Sequence, residues 1–327
     1  MAPHTQSTAN LFPGSATWAL PVIGAPMFIA SGPELVTAQC CAGVVGTMPS
    51  LSIRDAEQLG AALSRIESGL AAHDRAHADR PSAPYGVNLI AHKSNLRLEH
   101  DLEVCVRHRV PLIITSMGPS RRIVEQVQAY GGVVFHDVTN LRHARKAMDE
   151  GVNGLVAVAT GAGGHGGTLS PFALVGEIRR VFSGWIALSG AISNGAQIAA
   201  AQAMGADFAY MGTRFLATRE AGASDENKAM VLQSAAADIV YTSAFTGVPG
   251  NYLRGSIVRA GLDPDHLPER EAGSISYATG TSRPKAWKDL WGAGQGVGLI
   301  DDLPSVATLV ERLMTEHRAA CMRLEPF

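Results

Sequence analysis

The sequence is short of several things, and each shortage removes a class of function. Only four cysteines occur: Cys40, Cys41, Cys105 and Cys321. Two are adjacent and none makes a C-x-x-C pair, which is poor material for a zinc site or a disulfide framework. Cys40-Cys41 lies in an Ala-rich helical stretch, so small buried residues are expected there, in a reducing compartment. His73 and His77 have H-x-x-x-H spacing, but no carboxylate cluster accompanies them to suggest a metal. No uninterrupted apolar run reaches the roughly 18 residues of a membrane span. Met1 to Gly14 lacks the cationic-then-apolar order of a signal peptide, so a cytoplasmic location is the default expectation. The formal net charge of −2 offers nothing to nucleic acid or to an anionic membrane. No interface signal is legible, and a homo-oligomer is compatible with this composition.

Glycine and short apolar runs are what the chain has. Its 327 residues suffice for one large α/β domain or two ordinary ones. Short β runs start at Leu20, Gly43, Tyr85, Val110, Val133, Leu155, Ile186 and Phe208. Helical sequence alternates with them: Pro33 to Ala42, Arg54 to Ala72, Leu98 to His108, Ser120 to Tyr130, Asn140 to Glu150, Phe172 to Phe182 and Gly195 to Met204. In Arg54 to Ala72, the residues Ala56, Leu59, Leu63, Ile66 and Leu70 share one face. Apolar strands without alternation suit parallel strands covered on both faces. Eight β/α units predict a (β/α)8 TIM barrel, and a doubly wound open sheet would use the same elements. The rhythm breaks after Phe208 to Met211. Residues 218–283 are expected as an inserted helical lid or substrate subdomain, with residues 1–217 and 284–327 forming the barrel. Asp301-Asp302-Leu303-Pro304 is expected to cap a final helix.

The chain is organised around Gly161-Ala162-Gly163-Gly164-His165-Gly166-Gly167. Glycines let backbone approach a ligand. A lone imidazole among them is a candidate acid, base or hydrogen-bond donor, against the alternative of an ordinary surface loop. Gly161, Gly163 and Gly166 satisfy G-x-G-x-x-G. That motif should open directly into a helix early in a βαβ unit, whereas Thr168-Leu169-Ser170-Pro171 intervenes here. A backbone-lined ligand cavity is the better reading.

Ser189-Gly190-Ala191 closes the seventh expected barrel strand, and Met211-Gly212-Thr213-Arg214-Phe215 closes the eighth. In barrels these two loops often hold a phosphate through backbone N–H groups, to which Thr213 would add a hydroxyl. The alternative is a pair of ordinary tight turns. Pro26-Met27 ends the first strand, and Asn88 on the third suits the edge of a heterocycle. Gly292 to Gly298, with Gln295, gives another backbone-rich wall. His136-Asp137 is a rival acid/base pair, weakened because strand neighbours point to opposite faces.

The set Pro26-Met27, Gly86-Val87-Asn88, Gly163-Gly164-His165, Ser189-Gly190-Ala191, Met211-Gly212-Thr213-Arg214-Phe215-Leu216-Ala217-Thr218 and Gly294-Gln295-Gly296 resembles the nitronate monooxygenase family, formerly called 2-nitropropane dioxygenases. The likeness runs from about Pro21 to Leu313. It implies an FMN-binding TIM barrel that oxidises alkyl nitronates with O2 to a carbonyl compound and nitrite. It implies phosphate near Gly190, Ala191, Gly212 and Thr213, with Ala25, Pro26, Met27, Asn88, Gly164, Ser189, Met211, Gly294 and Gln295 also at the cofactor. His165 matches the histidine that faces substrate. Three departures stand out. Gly24-Ala25-Pro26-Met27 replaces a Gln-Gly-Gly-Met type sequence, Asp137 stands where some members carry lysine, and Ala191 replaces a common second glycine. They leave open an NAD(P)H-dependent reductase of quinones or enoyl thioesters on the same FMN. A phosphate-ligand binding barrel without chemistry is the non-enzyme alternative.

Overall fold

The computed structural model describes residues 18–267 and 288–324. The barrel starts with β1 (Val22–Gly24), β2 (Gly46–Pro49), β3 (Tyr85–Ile90), β4 (Leu112–Ser116), β5 (Val133–Val138) and β6 (Gly154–Val158). A two-residue strand, β7 (Gly164–His165), lies outside it, and β8 (Trp185–Ser189) and β9 (Phe208–Met211) complete it. The eight barrel strands pair in parallel in the order β1-β9-β8-β6-β5-β4-β3-β2. A parallel bridge between Ile23 and Val45 joins β1 to the residue before β2, so the sheet closes on itself. Closure makes this a (β/α)8 TIM barrel, not an open sheet.

Strand period explains the two cores. Ile23, Leu112, Ile114, Val133, Phe135, Val156, Ala187, Phe208 and Tyr210 fill the barrel interior. Their strand neighbours Val22, Ile113, Val134, Leu155, Leu188 and Ala209 face the outer layer of helices. That layer comprises α1 (Pro33–Cys41), α2 (Leu59–Ala76), α3 (Leu98–Arg107), α4 (Arg121–Ala129), α5 (Leu141–Asp149), α6 (Pro171–Arg179) and α7 (Gly195–Ala203). In α2 the residues Leu59, Leu63, Ile66 and Leu70 are buried, as their spacing predicts. A short helix, α8 (Thr213–Leu216), follows β9.

The segment after α8 is helical only in part. It holds α9 (Asp225–Gln233), an antiparallel pair β10 (Ile239–Thr242) and β11 (Gly250–Leu253), and α10 (Arg254–Arg259). β11 pairs with β7, giving a three-stranded sheet in the order β10-β11-β7. Gly-Asn at the start of β11 and Gly-His in β7 are weak strand formers, so local propensity hides this sheet. Residues 268–283 of the expected insertion, and its boundary at 283/284, lie outside the described residues.

The last helix, α11 (Val306–Leu324), packs on α7 and α1. Its first turn is capped by Ser305, whose Oγ accepts the Thr308 N–H at 3.2 Å, and not by Asp301 or Asp302. Asp302 instead holds Arg312 and the buried Arg214. No described helix is long and apolar enough to cross a membrane.

Candidate active site

The C-terminal ends of the barrel strands gather most of the residues singled out by the sequence. The stretch Gly294-Gln295-Gly296 ties three of their loops together. Gln295 N–H donates to Gly161 O at 2.9 Å, after β6. Ser193 Oγ, after β8, donates to Gly296 O at 2.9 Å. Gly294 N–H donates to Thr213 Oγ1 at 2.9 Å, after β9. Backbone meets backbone here: a Cβ on Gly163 would lie 2.8 Å from Gly294 N, and one on Gly294 would lie 2.6 Å from Gly161 O. Only glycine permits that approach.

The loop after β1 reaches the same place. Ala25 N–H donates to Met211 O at 2.9 Å, which ties this loop to the end of β9. Ser31, fully buried, closes the loop by accepting the Met27 N–H at 2.9 Å. Met27 Sδ would stand 3.6 Å from a Cβ on Gly212. Met211 itself turns its side chain to the outer core, so only its backbone belongs to the mouth. Pro26 sits between Ala25 and Met27 and is half-buried.

After β8 and β9 the backbone N–H groups of Gly190, Ala191 and Gly212 have no protein acceptor among the described residues. Orphan N–H groups side by side are what a phosphate needs. Thr213 Oγ1 accepts from Gly294, and its hydroxyl proton remains to be donated. Ala191 holds a left-handed φ of 56°, a conformation that favours glycine. Ser189 ends β8 half-buried.

On the far side of the mouth, Asn88 spends both amide protons on protein. One goes to Ile114 O at 3.0 Å and the other to Ser116 Oγ at 2.7 Å. Only its carbonyl Oδ1 remains for a ligand, so the ligand must bring a donor. Ser116 Oγ in turn bonds Asp137 Oδ2. The other Asp137 oxygen, Oδ1, is sealed and has no partner among the described residues. Burial pushes this carboxyl up to about 6, and the Ser116 bond opposes the shift. Tyr210, inward on β9, feels the Asp137 charge. His136 faces the other way: its Nδ1 lies 2.7 Å from Thr115 Oγ1 in the outer layer, and burial lowers it to about 4. The rival pair is therefore split by the strand, with Asp137 alone on the interior face.

His165 stands in β7. Gly250 and Asn251 of β11 pair with His165 and Gly164. Asn251 Nδ2 donates to Ala162 O at 2.6 Å and Tyr241 OH to Gly166 O at 3.0 Å, so the inserted sheet grips the loop on both sides of the histidine. The ring's Nε2 lies 2.9 Å from Thr246 Oγ1. Burial lowers the imidazole to about 4, so it is neutral at pH 7.

The family model described as nitronate monooxygenase matches residues 14–316. The chain belongs to the nitronate monooxygenase family. It is 27% identical to "Nitronate monooxygenase" of Paraburkholderia phytofirmans, covering 94% of each chain. It is 24% identical to "(3aS,4S,5R,7aS)-5-hydroxy-7a-methyl-1-oxo-octahydro-1H-indene-4-carboxyl-CoA dehydrogenase" of Mycobacterium tuberculosis, over 90% of this chain and 92% of that one. Among solved structures, nitroalkane oxidase from Streptomyces ansochromogenes superposes with a TM-score of 0.79 at 25% identity, covering 97% of this chain and 99% of that chain. As a member of this family, the protein is a flavin-dependent oxidoreductase.

The residues present fit a flavin nucleotide. Orphan N–H groups at Gly190, Ala191 and Gly212 suit its phosphate, and the Asn88 acceptor suits a ring N–H. Sequence reasoning missed Ser116, Thr246, Asn251 and Tyr210. Strand parity marks Ser116 and Tyr210 as inward, two residues on from Ile114 and Phe208. No local signal marks Thr246 or Asn251, which reach the loop from the insertion.

Proposed function

We propose that the protein binds FMN and oxidises alkyl nitronates, or their parent nitroalkanes, with O2 to a carbonyl compound and nitrite. The observation that carries this reading is a neutral, gripped His165 on a glycine-lined wall that adjoins the orphan N–H groups after β8 and β9. Gly190, Ala191, Gly212 and Thr213 would hold the phosphate. Ala25, Pro26, Met27, Asn88, Gly164, Ser189, the Met211 backbone, Gly294 and Gln295 would border the rest of the cofactor. FMN, when bound, would supply the electron acceptor, with O2 as the final oxidant. His165, neutral at pH 7, is suited to accept the α-proton of a nitroalkane, help typically worth about 10²–10⁴-fold. The segment inserted after α8 would set substrate choice, a reading supported by the pairing of β11 with the strand that carries His165.

Two named relatives support the nitronate chemistry. The test is nitrite release together with O2 uptake by FMN-loaded protein supplied with nitronates. Negligible turnover contradicts the proposal. A second reading, an NAD(P)H-dependent reductase of quinones or enoyl thioesters, is favoured by the CoA-thioester dehydrogenase relative. Anaerobic NADPH separates the two, because only the reductase is bleached by it.

A further inference from the structure

We propose that Thr246 is a positioning residue that fixes the Nε2–H tautomer of His165 and so makes Nδ1 the basic nitrogen of the ring. This deepens the proposed function, on which the choice of substrate rests; the tautomer itself does not depend on it.

The argument starts from the one proton of the Thr246 hydroxyl. That group is buried, in the turn between β10 and β11. Its Oγ1 lies 2.9 Å from Val248 O, 3.3 Å from Val248 N and 2.9 Å from His165 Nε2. A hydroxyl has one donor and two acceptor positions. Val248 O is a carbonyl and can only accept, so it takes the hydroxyl proton. Val248 N–H fills one lone pair. The bond to His165 is then made only if Nε2 carries a proton and donates it. If Nε2 were bare, the hydroxyl would serve either the imidazole or Val248 O, and one of the two bonds would be lost. Losing a buried hydrogen bond costs more than the small intrinsic difference between the tautomers.

The geometry is enforced from outside the turn. Gly250 pairs with His165, and Gly166 N–H donates to Pro249 O at 3.3 Å. These bonds hold the turn against the loop that carries the ring. Burial keeps the ring neutral, so Nδ1 bears its lone pair. His165 is therefore set to accept a proton and not to donate one. A substrate that brings a removable proton, such as a neutral nitroalkane with an α-C–H, fits this state better than one already ionised.

The test uses FMN-loaded protein with ¹⁵N-labelled histidine and no substrate. Long-range ¹H–¹⁵N correlation assigns the tautomer of each ring, and the His165 signals are those lost in His165→Asn. The Nε2–H pattern is expected in the native protein and in Thr246→Ser, and a mixture of tautomers in Thr246→Val. With nitroalkane, Thr246→Val should lower kcat/KM about tenfold, the factor matching one such hydrogen bond, and Thr246→Ser should restore it. FMN affinity should stay unchanged in both. An Nδ1–H pattern in the native protein, or an undiminished Nε2–H pattern in Thr246→Val, overturns the proposal. A native protein that releases no nitrite yet shows the Nε2–H pattern upholds the role of Thr246 and refutes the nitronate reading instead.

Discussion

Gly294 donates its backbone N–H to Oγ1 of Thr213 at 2.9 Å, fastening the chain that leads to α11 onto the turn after β9. The same stretch closes on Gly161 and, through Gly296, on Ser193. One tripeptide thereby holds the loops after β6, β8 and β9 in register. Gly294→Ala places a methyl 2.6 Å from Gly161 O, and backbone on both sides must shift. Such overpacking typically costs about 1–3 kcal/mol. The expected outcome is a lower Tm and a purified protein with less FMN per chain, read from its visible absorbance.

His165→Asn should leave FMN bound and lower turnover by about 10²–10⁴-fold, the usual range for a lost proton-transfer group. Because the ring sits near 4, its protonation should leave kcat/KM flat from pH 5 upwards and lower it only below that. Measuring flavin content and turnover on the same preparation checks both halves. Loss of flavin in this variant would make the loop a cofactor cradle.

Asp137 predicts a pH dependence of stability with a definite sign. Its carboxyl is raised to about 6 from an ordinary value of 3.8. Between those pH values the folded protein binds more protons than the unfolded one, so stability falls as pH rises from about 4 to about 6. Ionisation at pH 7 then costs up to about 3 kcal/mol. Asp137→Asn, measured without ligand by urea unfolding at pH 4.5 and pH 7, should gain stability at pH 7 and lose most of the difference between the two.

Arg214 sits within the Met211 to Thr218 stretch that helps carry the family resemblance, yet its work is structural. Its side chain is only 2% exposed, and Nη2 bonds Ala217 O, Asp302 O and Asp302 Oδ1. Arg214→Met should destabilise the fold by roughly 2–3 kcal/mol, because the two carbonyls lose their donor while Asp302 keeps Arg312. Thermal or urea unfolding checks the size.

The barrel was legible in the sequence because each strand is a short run, such as Leu112 to Thr115, whose neighbours serve two different cores. Asn88 was legible as a polar side chain on an apolar strand, and Gly190 and Gly212 as glycines closing consecutive strands. Asp137 and His136 were adjacent in sequence, and only strand direction told them apart. The β7–β11 pairing was not legible. Gly164 and Asn251 are poor strand formers, and the contact joins distant parts of the chain, so no window contains it. Thr246 was hidden for the same reason, since its bond to His165 spans 81 residues. Asp302 looked like a helix cap from its place before Pro304, and the buried Arg214 drew it away.

The most direct test of the central claim is the visible spectrum of the purified protein, anaerobic, before and after a nitronate and, separately, NADPH. A yellow protein whose flavin is bleached by the nitronate and left oxidised by NADPH is the predicted result. A colourless protein that takes up no FMN, or a flavin bleached by NADPH and untouched by nitronates, would contradict it.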